Sequence, residues 1–158
     1  MLQIHNTLTR QKEIFQPIHA GKIGMYICGV TVYDYCHLGH ARTYTSFDVI
    51  IRYLRWRGYD VTTVRNITDI DDKIIKRAKE TDEKFSDVAK KFTLAMDEDF
   101  KALNLLPPAH EPKATAYIPQ MTALIQKILD NHYLGLFPTI CLIKSRIIEL
   151  PSFLHHLN

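Results

Sequence analysis

Residues 22–43 read KIGMYICGVTVYDYCHLGHART, and this stretch decides the fold. Lys22 to Val30 is a short apolar run containing Ile23, Tyr26 and Ile27, bounded by glycines and uncharged after Lys22, as a buried strand requires. From Leu38 the period changes: Tyr44, Phe47, Ile50, Ile51 and Leu54 recur at helical spacing, Arg42, Ser46, Arg52 and Arg55 fall mostly elsewhere on the wheel, and Gly58 supplies a stop. Tyr59 to Arg65, YDVTTVR, is β-branched and reads as a second strand. Strand, helix and strand in this order predict a βαβ unit with parallel strands and a right-handed crossover. Ligands of such sheets gather beyond the C-terminal strand ends, beside helix N-termini. Both Cys28–His40 and Asn66–Asp72 fall there.

Outward from this unit, the chain opens with a polar segment containing NTLTRQK. Asp71 to about Leu103 is helical in two pieces broken near Thr81 and Asp82, Pro107, Pro108 and Pro112 mark a turn, and Ala114 to Asn131 reads as a further amphipathic helix. Near residue 133 the character changes. Residues 134–158, LGLFPTICLIKSRIIELPSFLHHLN, hold a single acidic residue, Glu149, and show neither helical nor alternating periodicity. Residues 1–133 are therefore expected to form one partial α/β domain, with 134–158 an atypical tail.

At 158 residues the chain suits one domain, and 46% hydrophobic with 23% charged residues is ordinary for a soluble globular protein. A net charge of +3 permits an anionic partner without arguing for one unaided. The N-terminus lacks the apolar run of a signal peptide and no stretch is long enough to span a bilayer, so a cytoplasmic chain without membrane contact is expected. Cys28, Cys36 and Cys141 are odd in number and lack CxxC spacing, which speaks against a disulfide framework.

The chemistry concentrates at His37-Leu38-Gly39-His40. Taken singly, each histidine reads as a solvated or capping residue. In context, Gly39 removes a side chain where a phosphate could approach, and the following helix aims its free N–H groups and positive dipole end at the same point. Imidazole donors there suit a polyphosphate. Cys36-His37-x-x-His40 also offers three metal donors, but neighbouring residues point apart and no further Cys or His cluster completes a shell. Asp69, Asp71 and Asp72 invite a Mg2+ reading, against which Asp71 and Asp72 are good helix N-terminal residues ahead of KIIKRAKE.

The run MYICGVTVYDYCHLGHART, followed by FDVIIRYLRWRGYDVTTVRNITDIDDKIIKRA, resembles the N-terminal part of the cysteinyl-tRNA synthetases, a class I aminoacyl-tRNA synthetase family. The resemblance covers roughly residues 1–133, including NTLTRQK, PIHAG and EPKAT. It implies the N-terminal half of a Rossmann-like nucleotide-binding fold with parallel strands, and an enzyme that activates cysteine with ATP and Mg2+ and transfers it to tRNA(Cys), as a monomer. His37 and His40 would then be catalytic, binding ATP phosphates as the cysteine carboxylate attacks the α-phosphate. Val30, Thr31, Leu38 and Gly39 would join them in nucleotide binding. Gly29, Thr31, Asn66, Thr68 and Asp69 would border the amino-acid pocket.

The resemblance further implies a zinc ion that ligates the substrate thiolate, with Cys28 its first protein ligand; such a metal separates cysteine from serine because sulfur is the softer ligand. Taken alone, Cys28 reads as an inert buried thiol, and Cys36 is expected to be structural. The family's other zinc ligands, a Cys, a His and a Glu, and its Lys-Met-Ser-Lys-Ser loop find no match here. The match ends after Asn131-His132-Tyr133, so a frame change is expected to underlie the tail, and weak or absent activity in this chain alone. Three other readings compete. The small HxGH nucleotidylyltransferases carry GxFDPxHxGH, whereas VTVYDYC precedes His37 here. A cysteine ligase acting on a sugar amine is disfavoured by NITDIDDKI and NTLTRQK. A non-enzymatic remnant would show neither zinc nor cysteine-dependent exchange.

Overall fold

The computed structural model describes residues 2–131. Its elements are β1 (Gln3–Asn6), β2 (Gln11–Ile14), β3 (Lys22–Ile27), α1 (Leu38–Trp56), β4 (Asp60–Arg65), α2 (Asp72–Thr81), α3 (Phe85–Ala102), a 3-10 turn (Ala114–Tyr117) and α4 (Ile118–Asp130). The chain divides into two units, residues 1–116 and 117–158. The expected boundary near residue 133 and the tail lie outside the described residues. Among the described residues, no helix is long and apolar enough to cross a membrane.

β3 and β4 pair in parallel from Lys22↔Asp60 to Ile27↔Arg65, with α1 as the connection between them. This is the expected βαβ unit. Pairing continues past the strand ends: the Thr68 N–H donates to the Val30 carbonyl at 3.0 Å and the Val32 N–H to the Thr68 carbonyl at 3.2 Å. On the other side of β4, His110 bridges Val64 and Lys113 bridges Ile67, also in parallel. The proline-bearing segment expected to be a turn therefore also flanks the sheet. Pro112 has no N–H to give, which confines this segment to isolated bridges at an edge.

The core is built where these layers meet. Val32 and Ile74 are fully buried, joined by Ile23, Ile27, Ile51 and Leu54 and by a stripe of α3 containing Val88, Phe92, Met96 and Phe100. The buried face of α1 comprises Tyr44, Asp48, Ile51 and Leu54. Ile50, expected on this face, is exposed, and Asp48 takes a place in it. Asp48 can be buried because both its oxygens are used: Oδ2 accepts from Arg52 Nε at 2.6 Å and Oδ1 from the Leu106 N–H at 2.8 Å. It thereby ties the segment after α3 to α1.

The N-terminal hairpin is a second departure. β1 and β2 pair antiparallel from Gln3↔Ile14 to Asn6↔Gln11, in a stretch that the sequence marks only as a polar opening. Its turn is specified locally, with Asn6 Oδ1 accepting from the Leu8 N–H at 3.0 Å and Arg10 at φ 58°. α2 and α3 begin and end within two residues of expectation, and Asp71 caps α2 by accepting from the Lys73 N–H at 2.9 Å.

The approach of β3 to β4 tightens at Gly29. A Cβ placed on Gly29 would sit 1.4 Å from the Asn66 carbonyl oxygen, whereas one on Gly24 would meet nothing within 4 Å. Gly29→Ala is accordingly expected to lower stability by about 2–3 kcal/mol, because backbone must move to admit the methyl group. Gly24→Ala should leave the thermal midpoint close to the parent value. Equal melting of the two variants would refute this account of the strand ends.

Candidate functional site

Two segments, Cys28–Thr31 and Asn66–Asp69, meet beyond the C-terminal ends of β3 and β4, joined by the Thr31↔Thr68 bridge. Asn66 organises the meeting. Its Oδ1 accepts from the Gly29 N–H and from the Tyr26 hydroxyl, both at 2.8 Å, and its Nδ2 donates to Thr68 Oγ1 at 3.1 Å. Val30 is buried, Thr31 and Thr68 half-buried, and the Cys28 thiol exposed. Asp69 is differently employed. Its carboxylate accepts from the Thr115 N–H at 2.9 Å and from the Thr115 hydroxyl, so it anchors the 3-10 turn from a buried position.

The third segment is the turn His37–His40 at the start of α1. His37 is the N-cap, with extended backbone. Its Nδ1 accepts from the Gly39 N–H at 3.0 Å, while His40 Nδ1 accepts from the His37 N–H at 3.2 Å. This is a capping box made of two imidazoles, whose ring centroids lie 4.0 Å apart. A backbone N–H can only donate, so each Nδ1 carries a lone pair, and each neutral ring keeps its proton on Nε2. The helix start thus holds two Nε2–H donors beside its own free N–H groups. A Cβ on Gly39 would lie 2.7 Å from His37 Cε1, so the space glycine leaves here is filled by the His37 ring. Leu38 is almost wholly exposed.

Tyr44 links this helix to the strand ends. Its hydroxyl donates to the Cys28 carbonyl at 2.8 Å, fixing the backbone that carries the thiol. Burial pushes the phenol up to about 12, with the Arg65 charge opposing the shift, so Tyr44 remains a donor at any physiological pH. The Arg65 guanidinium stacks 5.4 Å from the Tyr44 ring centroid and 4.7 Å from that of Phe100, and Nε donates to Glu111 Oε1 at 2.8 Å. Neither Tyr44 nor Tyr26 stands out in the sequence as a site residue. Tyr44 reads only as one of the core stripe, because the partner of its hydroxyl lies 16 residues back.

The loop before the turn is held from outside: Arg77 reaches Asp34 at 3.9 Å, Lys73 lies 5.2 Å from the Tyr33 ring centroid, and Tyr35 packs edge-on against Phe92 at 5.2 Å. Cys36 packs partly buried against the core, and burial raises its thiol pKa, as expected of a structural cysteine.

Residues 14–137 match the family described as tRNA synthetases class I (C) catalytic domain. The chain belongs to this family. It is 60% identical over 133 residues to the cysteine--tRNA ligase of Pasteurella multocida, 58% over 132 residues to that of Coxiella burnetii, and 57% over 133 residues to that of Vibrio cholerae. Each match covers 84% of this chain and 29% of the relative's length. The mixed α/β architecture with its parallel β3–β4 pair is that of a Rossmann-like part of such a catalytic domain.

A zinc ion held by Cys28 meets a chemical limit. The thiol is exposed and available, but among the described residues no group of three or more His, Cys, Asp and Glu side chains stands together to hold a metal. One thiolate is not a zinc site. These residues alone do not fit the ion. Asp69 and Asp71, with carboxylates engaged by Thr115 and Lys73, are likewise occupied.

The capping box makes the turn sensitive to acid. His40 has a pKa below the usual 6.5, first through burial and then through the neighbouring His37. A histidine that binds protons less readily when folded contributes its stability in full above about pH 6.5 and loses it as pH falls through the lowered folded value. Protonation would also place a hydrogen on His40 Nδ1, where the His37 N–H now donates. The His37 amide shift should therefore titrate together with the His40 ring, with a common midpoint below that of an unstructured histidine. Independent titration of the two would exclude the reciprocal cap.

Proposed function

We propose that the chain carries the N-terminal, phosphate-binding portion of a cysteine--tRNA ligase. In this reading a cysteine carboxylate oxygen attacks the α-phosphorus of ATP, the bond to the bridging oxygen breaks and pyrophosphate leaves. A tRNA hydroxyl then attacks the carbonyl of the cysteinyl adenylate, and AMP leaves. The observation that carries the proposal is the His37–His40 box at the start of α1, in a chain of this family whose compared relatives are cysteine--tRNA ligases.

Two neutral Nε2–H donors and a helix N-terminus are matched to charge that builds on phosphate oxygens. Being fixed by reciprocal hydrogen bonds before any ligand arrives, they need little reorganisation as that charge develops. Cys28, Gly29, Thr31, Asn66 and Thr68 border the amino-acid pocket. Asp69 serves the pocket by holding Thr115 against the end of β4. Tyr44 keeps the Cys28 backbone in place.

Titration of the 158-residue chain with ATP should shift the Gly39, His40 and Ala41 amides and both imidazole Nε2 resonances, and His37→Ala or His40→Ala should weaken that binding roughly tenfold. ATP that leaves these resonances unmoved would overturn the assignment. The described residues supply one face of a phosphate site and one candidate metal ligand. Cysteine-dependent ATP–pyrophosphate exchange by this chain alone is therefore expected to stay near background, and robust exchange would show that the described residues suffice for activation.

A further inference from the structure

The outward face of α1 has no role in the phosphate turn. Near its C-terminal end the Trp56 ring is 78% exposed and lies 5.9 Å from the Tyr53 ring at an interplanar angle of 35°. Arg57 closes the group: its guanidinium lies 5.9 Å from the Tyr53 ring centroid and Nη1 donates to the Tyr53 hydroxyl at 3.0 Å. Large apolar rings left in water are held in one arrangement by a neighbouring cation. This is a rack, not a scatter of surface residues.

The charge of the molecule gathers on the same helix. α1 and its C-cap carry Arg42, Arg52, Arg55 and Arg57 against one acidic residue, Asp48, a surplus equal to the +3 of the entire chain. Asp48 is buried and pairs with Arg52, so the surplus lies with Arg42, Arg55 and Arg57. Exposed aromatic faces beside guanidinium groups, on the most basic helix among the described residues, suit a partner that combines negative charge with stackable rings. A second copy docking isologously would set this basic face against itself.

We propose that the Tyr53–Trp56–Arg57 rack is a contact surface for single-stranded RNA, one base stacking on Trp56 while the arginines of α1 meet backbone phosphates. At 1.5 Å per residue the rack lies about 28 Å along α1 from the His37–His40 turn. The RNA it holds is therefore a segment remote from the reacting end, and the contact adds affinity without entering the chemistry. The inference is independent of ATP binding and stands or falls apart from it.

Trp56 is the only tryptophan, so its fluorescence reads the surface directly. Titration of the 158-residue chain with an oligouridylate of about 15 nucleotides should quench that emission, with affinity falling about tenfold between roughly 50 and 200 mM salt. Followed by anisotropy of a labelled oligouridylate, Trp56→Ala and Arg57→Ala should each weaken binding roughly fivefold or more at unchanged melting temperature, since both side chains are at the surface. No quenching at saturating RNA, or anisotropy binding indifferent to both substitutions, overturns the proposal. So does a concentration-dependent emission shift without RNA, which would assign the face to self-association, or quenching by an acidic peptide that RNA does not displace.

Discussion

Where β3 and β4 end, their backbones come so close that only a hydrogen fits between Gly29 and the Asn66 carbonyl. The parallel ladder cannot end there by fraying, because Asn66 holds Gly29 through its side chain and Thr68 continues the pairing to Val30 and Val32. Two loops that would otherwise be independent become one surface. Cys28, Gly29, Thr31, Asn66 and Thr68 are neighbours because of this contact, although 37 residues separate Gly29 from Asn66 along the chain.

Around this contact the molecule spends its buried charge on positioning. Arg65 is nearly buried at the end of β4, where an unpaired cation would be expensive to desolvate. Glu111 pairs with it, and the faces of Tyr44 and Phe100 receive the guanidinium, so that one residue joins β4, the flanking 110–113 segment, α1 and α3. Through Tyr44 the same group reaches the Cys28 carbonyl. Such a pair is weak evidence of added stability, since replacing both partners with apolar residues is often neutral. Its value lies in geometry: loss of Arg65 alone would strand Glu111 and free Tyr44 to shift.

How much of this is legible in the sequence depends on the range of the interactions. The βαβ unit is legible because its evidence is periodic and local: an apolar run, a helical stripe, a β-branched run and Gly58. The HLGH turn is legible because a glycine between two histidines at a helix start has few uses. Asp48 and Arg65 are not, since a charged residue looks like surface until its partner is known, and those partners are Leu106, 58 residues on, and Glu111, 46 residues on. The β1–β2 hairpin is hidden for a different reason. Both strands are largely exposed, so alternation between buried and solvated faces never marks them. Asp69 shows the limit for site residues: sequence places it at the correct strand end, but only coordinates reveal that Thr115 occupies its carboxylate.

The histidine pair gives the site its particular character. A lysine or arginine at the start of α1 would repel the dipole of its own helix, and a serine cap would satisfy the free N–H groups but offer no outward nitrogen donor. Imidazole can do both, because its two nitrogens divide the labour: Nδ1 caps the backbone, which leaves the ring proton on Nε2. The arrangement needs neutral rings, and the lowered pKa of His40 keeps its ring neutral at physiological pH. The phosphate binding proposed for this turn would therefore rest on dipoles and hydrogen bonds rather than on full positive charges. In that reading the turn would orient a polyphosphate through neutral donors, without the tight hold that full charges would place on pyrophosphate.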